Sequence, residues 1–285
     1  MSILNVDQDV SYFIGGFGSG LDHPECITSG LEGYAYAGGE AGQIYKIDTN
    51  DRTFEEIANT KNFVGGIAQS GDGDLYVCSG SVMKVTQDGD LNVYSDGNEI
   101  DKISSPNYPA FDQFGNLFVS DSGIWRENNG RIFKILPGGH GEIFSDQLND
   151  FPNGICISPL GDYLYVAMSI NPRVCRIKIN SDGSSGDVET VVKLPGTVPD
   201  GVAFDIKGNL YISCYRPDII YKFDISGDLN VLAIDYLGTM MACPTNVAFC
   251  GESLDIFLSA NLGRWHISKY DLSEAGLPLN YPKIS

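Results

Sequence analysis

Basic residues are scarce: 18 Lys and Arg stand against 37 Asp and Glu, and the net charge at pH 7 is −19. A surface that acidic repels phosphate backbones and anionic bilayers, which argues against nucleic-acid binding and polybasic membrane anchoring. Histidine is scarcer still, at three residues, so a His-rich metal site or a His₃ zinc site is not expected. No run of about 18 apolar residues is available to span a bilayer. The opening MSILNVDQDV lacks the basic and apolar regions of a secretory leader. None of the seven cysteines forms a Cys-x-x-Cys pair, and Cys78, Cys156, Cys214 and Cys250 lie inside apolar strand-like runs. They read as small buried hydrophobes in a reducing, cytoplasmic compartment. A G-x-S-x-G serine-hydrolase elbow is missing. The glycines of Gly15–Gly20 end in Leu21 where a dinucleotide fingerprint needs its third Gly, and Asp72-Gly73-Asp74 is a hairpin turn without the spacing of an EF-hand loop.

What is plentiful is glycine, with 34 residues, and the aromatics Tyr and Phe, with 15 and 14, in a chain of 285 that is 42% hydrophobic and only 19% charged. That excludes disorder and suits strands joined by tight turns. Internal repetition organises them. Pro199-Asp200-Gly201-Val202-Ala203-Phe204-Asp205 is followed by Lys207-Gly208-Asn209 and Leu210-Tyr211-Ile212-Ser213. The same order starts at Pro106-Asn107 and at Pro152-Asn153-Gly154, with fainter copies at Pro24-Glu25, Val64-Gly65 and Pro244-Thr245. The residue after the Pro position recurs every 40 to 47 residues, close to the ~40–50-residue period of a propeller blade. Only five fourth runs lie inside the repeats, at 54–58, 91–95, 142–145, 188–192 and 229–234, and residues 10–17 ahead of the first unit supply the sixth. The expectation is an all-β fold: a six-bladed propeller of four-stranded antiparallel blades, residues 1–285 as one domain, closed by the N-terminal strand in the last blade.

In such a blade the innermost strand begins at one mouth of the central channel, so the residue after each Pro points into that mouth. Glu25, Gly65, Asn107, Asn153, Asp200 and Thr245 form the circle, and four of these six are Asp, Glu or Asn, more than the composition alone supplies. Two carboxylates and two amide carbonyls converging on an axis are hard oxygen donors suited to a divalent cation. Without a cation, carboxylates this close repel and raise one another's pKa. Asn and Asp after Pro also serve as turn residues, a role that Glu25 fits least. Loops on the same face bring Tyr108, Trp125, Arg126, Met168 and Arg216 as candidates to shape a substrate pocket, with Arg216 suited to a carboxylate or hydroxyl-rich group. His23, near Glu25, reads as a rim residue.

The ordered series Pro24-Glu25, Pro106-Asn107, Pro152-Asn153-Gly154 and Pro199-Asp200-Gly201, with the late Pro244-Thr245-Asn246-Val247-Ala248-Phe249, resembles the senescence marker protein/gluconolactonase family over essentially the whole chain. Regucalcin-like lactonases belong to it. The resemblance implies one catalytic divalent metal in the channel, with Glu25, Asn153 and Asp200 as ligands and Asn107 beside it as fourth ligand or substrate contact. It implies that Asp200 doubles as the catalytic acid/base of a hydrolase that opens a small-molecule lactone or ester. Calcium or magnesium suits the donors best by hardness, while Mn, Zn and Fe(II) are compatible. The sequence departs from sugar-lactonase members at Ser105, where an Arg often grips substrate hydroxyls, and near Trp125, where an acidic sugar contact would fall beside Arg126 and Glu127. Two alternatives share the fold. One is a calcium-dependent phosphotriesterase or esterase of the diisopropylfluorophosphatase or paraoxonase type; the other is a non-catalytic propeller serving as an interaction module.

Overall fold

The repeated Asp-x-x-Gly-Asn segments turn the chain from the first to the second strand of a blade. Asp112 Oδ1 accepts the peptide N–H groups of Phe114 at 2.8 Å and Asn116 at 2.9 Å, and Asn116 Nδ2 donates to Asp112 Oδ2 at 2.7 Å. Asp205 does the same for Lys207 and Asn209. Both turns carry glycine in the left-handed region, Gly115 at φ 90° and Gly208 at φ 85°, where a side chain would be strained. The runs between turns are β-branched and aromatic, and they pair as antiparallel neighbours.

The computed structural model describes residues 3–284. It is a six-bladed β-propeller of six four-stranded sheets. Blades 1 to 5 take their strands in sequence order from residues 26–59, 66–95, 106–145, 152–193 and 198–234. Blade 6 combines strands Pro244–Cys250, Ile256–Asn261 and His266–Tyr270 with Val10–Gly15 as its outer strand, paired from Val10↔Tyr270 to Gly15↔His266. The N-terminal strand thus closes the ring, and no blade of the six is left a strand short. Innermost strands pack neighbour against neighbour all the way round.

Apolar side chains fill the wedges between blades. Tyr211, Phe249, Phe257 and Tyr270 interlock between blades 5 and 6, with ring centroids 4.7–5.4 Å apart. Comparable clusters sit at the other five junctions. Each fully buried large side chain contributes about 1.5–3 kcal/mol, so the ring is held mainly by these wedges. After Tyr270 the chain runs as a strap across the lower face, where the innermost strands end. Leu277 N donates to Phe204 O (3.0 Å), Asn280 Nδ2 to Phe111 O (2.9 Å) and Tyr281 Oη to Ser29 O (3.1 Å), while Gly71 N donates to Pro282 O (2.7 Å). Among the described residues no helix is long and apolar enough to cross a membrane.

Candidate metal centre

The innermost strands of blades 3 to 6 each break register just where the motif residue sits, between Pro106 and Pro109, Pro152 and Ile155, Pro199 and Val202, and Pro244 and Asn246. A bulge adds a residue to one strand and re-aims the side chain beside it. Serines on the second strand take up N–H groups freed by the irregularity: Tyr108 N donates to Ser120 Oγ and Gly201 N to Ser213 Oγ, both at 3.0 Å. The glycines of the motif answer a second constraint, crowding at the upper mouth. A Cβ on Gly154 would lie 2.4 Å from Asp200 O, one on Gly201 2.6 Å from Asn246 Nδ2, and one on Gly65 2.6 Å from Asn107 O. Adjacent strands therefore approach closely enough to bring side chains from different blades together.

Glu25 and Asp200 meet in this constriction. Burial, and then the charge of Glu40, push the Glu25 carboxyl up to about 8. Burial, and then the charge of Glu25, hold Asp200 well above the usual carboxylate range. Among the described residues neither carboxylate has an ion pair or a side-chain hydrogen bond that would favour its ionised form. Asn153 is buried, and its amide is oriented by a short chain of bonds. Ser169 Oγ donates its one proton to Pro199 O at 2.7 Å, so it can only accept from Asn153 Nδ2, 3.2 Å away. The Asn153 Oδ1 is left as a free acceptor. Asn107 is half-buried and its carboxamide forms no hydrogen bond among the described residues. The other two positions of the circle hold no ligand: Gly65 has no side chain, and Thr245 Oγ1 donates to Glu25 O at 2.6 Å.

A buried and a half-buried carboxylate without a cationic partner among the described residues, beside amide oxygens open to accept, fit a hard divalent cation, whose charge would reverse the penalty on both acids. Among the described residues no group of three or more His, Cys, Asp or Glu side chains is placed to hold a metal. Ligation would rest on the mixed set Glu25, Asn153, Asp200 and Asn107.

The family model described as SMP-30/Gluconolactonase/LRE-like region matches residues 39–259, which is most of the chain. The chain belongs to the SMP-30/gluconolactonase/LRE-like family. No curated protein sequence matches it. Solved structures with the same fold include a calcium-binding protein, regucalcin, from Agrobacterium tumefaciens (TM-score 0.78, 16% identity, 95% of this chain and 97% of that one). Others are a gluconolactonase from Xanthomonas campestris (0.77, 16%, 94% and 89%) and a luciferin-regenerating enzyme (0.77, 17%, 95% and 99%). At these identities the likeness extends to the fold.

For this member of the SMP-30/gluconolactonase family, the rim differs in part from the sequence expectation. Trp125 is half-exposed and stands edge-on to Phe151, centroids 4.8 Å apart, on the upper loops of blades 3 and 4. Arg126 is exposed beside it. Arg216 is exposed and ion-paired to Asp218 at 2.8 Å, at the edge of a 300 Å³ pocket that also has Arg264 in its wall. Two candidates face elsewhere. Met168, the last residue of its strand, is fully buried in the wedge between blades 3 and 4 and does not line a pocket on the upper face. Tyr108 reaches across the channel below the acids, its Oη 3.4 Å from Asn246 Oδ1 and 3.5 Å from Ile27 O, and its ring lines the space beneath. It is a partition under the site rather than a rim residue.

His23 is at the rim, as expected, with Nδ1 2.7 Å from Asp22 and 3.2 Å from Glu40 and its ring 4.3 Å from that of Trp265. Sequence reasoning missed Ser169, and also Asp121, a buried acid that accepts from Ser104 N at 3.0 Å and Ser105 N at 2.6 Å and so fixes the chain leading into Asn107. Cys78, Cys214 and Cys250 are buried as expected and Cys156 is half-buried; burial pushes the Cys214 thiol up to about 12 and holds those of Cys26, Cys78, Cys156 and Cys250 well above the ordinary range.

Proposed function

We propose that the protein is a divalent-metal-dependent hydrolase that opens a lactone ring, with calcium the cation best matched to its donors. The observation that carries the reading is the pair of half-buried Glu25 and buried Asp200, without a cationic partner among the described residues and beside the oriented Asn153 amide, in a chain of the SMP-30/gluconolactonase family. The fold neighbours include a gluconolactonase and a calcium-binding protein, which agrees with it. Glu25, Asn153, Asp200 and Asn107 hold the cation, which supplies Lewis acidity at the lactone carbonyl when bound.

Asp200 acts as the general base. Its carboxylate takes a proton from the attacking water as the new C–O bond forms. As the ring C–O bond breaks, the same proton passes to the departing alkoxide, which leaves as the hydroxyl of a hydroxy acid. The Trp125–Phe151 pair on the rim, together with Ser105 in place of a hydroxyl-gripping Arg, favours a lactone with an apolar body over a polyhydroxylated one.

Elemental analysis of protein purified without added metal, followed by chelation and restoration with single ions, tests the cation. Rates on an aldonolactone, a simple γ-lactone and a phosphotriester test the substrate class; faster turnover of the phosphotriester transfers the site to the phosphotriesterase reading. Asp200→Asn should keep the fold and lose at least about 10²-fold in kcat, and near wild-type activity in that variant rejects the assignment.

A further inference from the structure

The channel does not end at the acids. Beneath Tyr108 it widens into a cavity of 830 Å³ that opens on the lower face, opposite the candidate metal centre. Small-molecule sites occupy roughly 300–1,000 Å³. Its wall is made by the lower halves of the innermost strands, with Ala110, Ile155, Val202, Phe204 and Val247, and by Leu277 and Tyr281 of the C-terminal strap. Around the lip three large apolar side chains stand in solvent: Phe114 at 76% exposure, Leu160 at 87% and Leu279 at 46%. An apolar cavity with an exposed apolar lip is a feature that neither the core wedges nor the hydrolytic site requires.

The polar groups of the wall define what it would accept. Asp112, Asp162 and Asp182 are held by their own turns, to Asn116, Ser158 and Ser184. Lys134 Nζ is held by Gly183 O and Glu142, both at 3.1 Å. Among the described residues the wall's carboxylates are engaged by their own turns and its one cation, Lys134, by Glu142, and the excess of acids disfavours an anion. The Ser29 hydroxyl, which has no hydrogen-bond partner among the described residues, is sealed from the cavity and offers an occupant nothing.

We propose that this lower cavity is a second binding site, for an uncharged and largely apolar small molecule. Tyr108 separates it from the acids, so it is distinct from the hydrolytic site and stands whether or not that reading holds.

The full chain is titrated with N-phenyl-1-naphthylamine, an uncharged apolar fluorophore, and with the anionic anilinonaphthalene sulfonate of similar shape. The expected result is saturable one-to-one binding of the neutral probe, at least tenfold tighter than the anion. Ala110→Trp and Ala203→Trp, which fill the cavity from blades 3 and 5, should each weaken the neutral probe at least tenfold with an unchanged circular dichroism spectrum. If a filling variant fails to fold, Leu279→Asp at the exposed lip gives the same readout. Asp200→Asn should bind the probe as the parent does. Absence of saturable binding, equal affinity for the anion, or binding indifferent to all three cavity variants overturns the proposal.

Discussion

At the upper end of the channel Gly65, Gly154 and Gly201 let neighbouring strands come within reach of one another, and the space that remains holds two acids and two amides. At the lower end the same six strands carry Ala110, Ile155, Val202 and Val247, and enclose 830 Å³ of largely apolar space. One sheet geometry, traced over five or six residues, gives a constriction fit for a charge and a chamber fit for an apolar body. The difference lies in whether glycine allows the backbones to converge and in which side chains the bulges turn inward.

The largest effect should come from disturbing the convergence. Gly154→Val places a side chain against the backbone of Asp200 and should cost more than about 3 kcal/mol in urea unfolding, whereas Ala203→Val at the wide end should cost less than about 1.5 kcal/mol. Equal losses would remove the contrast between the two ends.

The acids give the next effect, through pH. Folded Glu25 keeps its proton up to about 8, against 4.5 as its ordinary value. Between those limits the folded state binds more protons than the unfolded one, so this contribution to stability is full below pH ~4.5 and lost as pH rises through 8. Melting temperatures of metal-free protein should therefore fall over that interval, and Glu25→Gln should flatten the profile. A profile that rises instead would mean that the acids are not held apart from positive charge.

Ser169→Ala sharpens the comparison further. Ser122 and Ser169 each donate to the opening Pro carbonyl of the next blade, at 2.7 Å, but only Ser169 also orients a candidate ligand. Both Ala variants should lose about 1 kcal/mol of stability. Ser169→Ala alone should weaken calcium binding by calorimetry, on the order of 10–100-fold. The smallest effect belongs to the rim: Trp125→Ala should raise KM a few fold, with a stability change within about 0.5 kcal/mol.

Blade count, strand order and closure were legible because the turn chemistry repeats. Asp112-to-Asn116 and Asp205-to-Asn209 use the same bonds, and each marks a strand end. The circle of motif residues followed from that register. Tyr108 and Met168 did not, because a strand reverses face with every residue and a bulge shifts that alternation by one. The irregularity at Pro106–Pro109 sends Asn107 to the mouth and Tyr108 across the channel. The serine link was present in the sequence as a thirty-residue spacing, Ser122 to Pro152 and Ser169 to Pro199, but its meaning depends on which blades touch. The strap carried no signal at all: it has no period, and it is anchored to carbonyls of Phe204, Phe111 and Ser29 that any sequence would offer.

The pairing of Val10–Gly15 with His266–Tyr270 also has a bearing on biosynthesis. The first of these segments leaves the ribosome with its partner some 250 residues still to be made, a wait on the order of 10–50 s at usual elongation rates. During translation five sheets can condense while one edge stays open, and the last wedge, with Phe257 and Tyr270, solidifies only when the first and last strands of the ring find each other. A chaperone or a crowded polysome would meet this protein as an open arc before it becomes a ring.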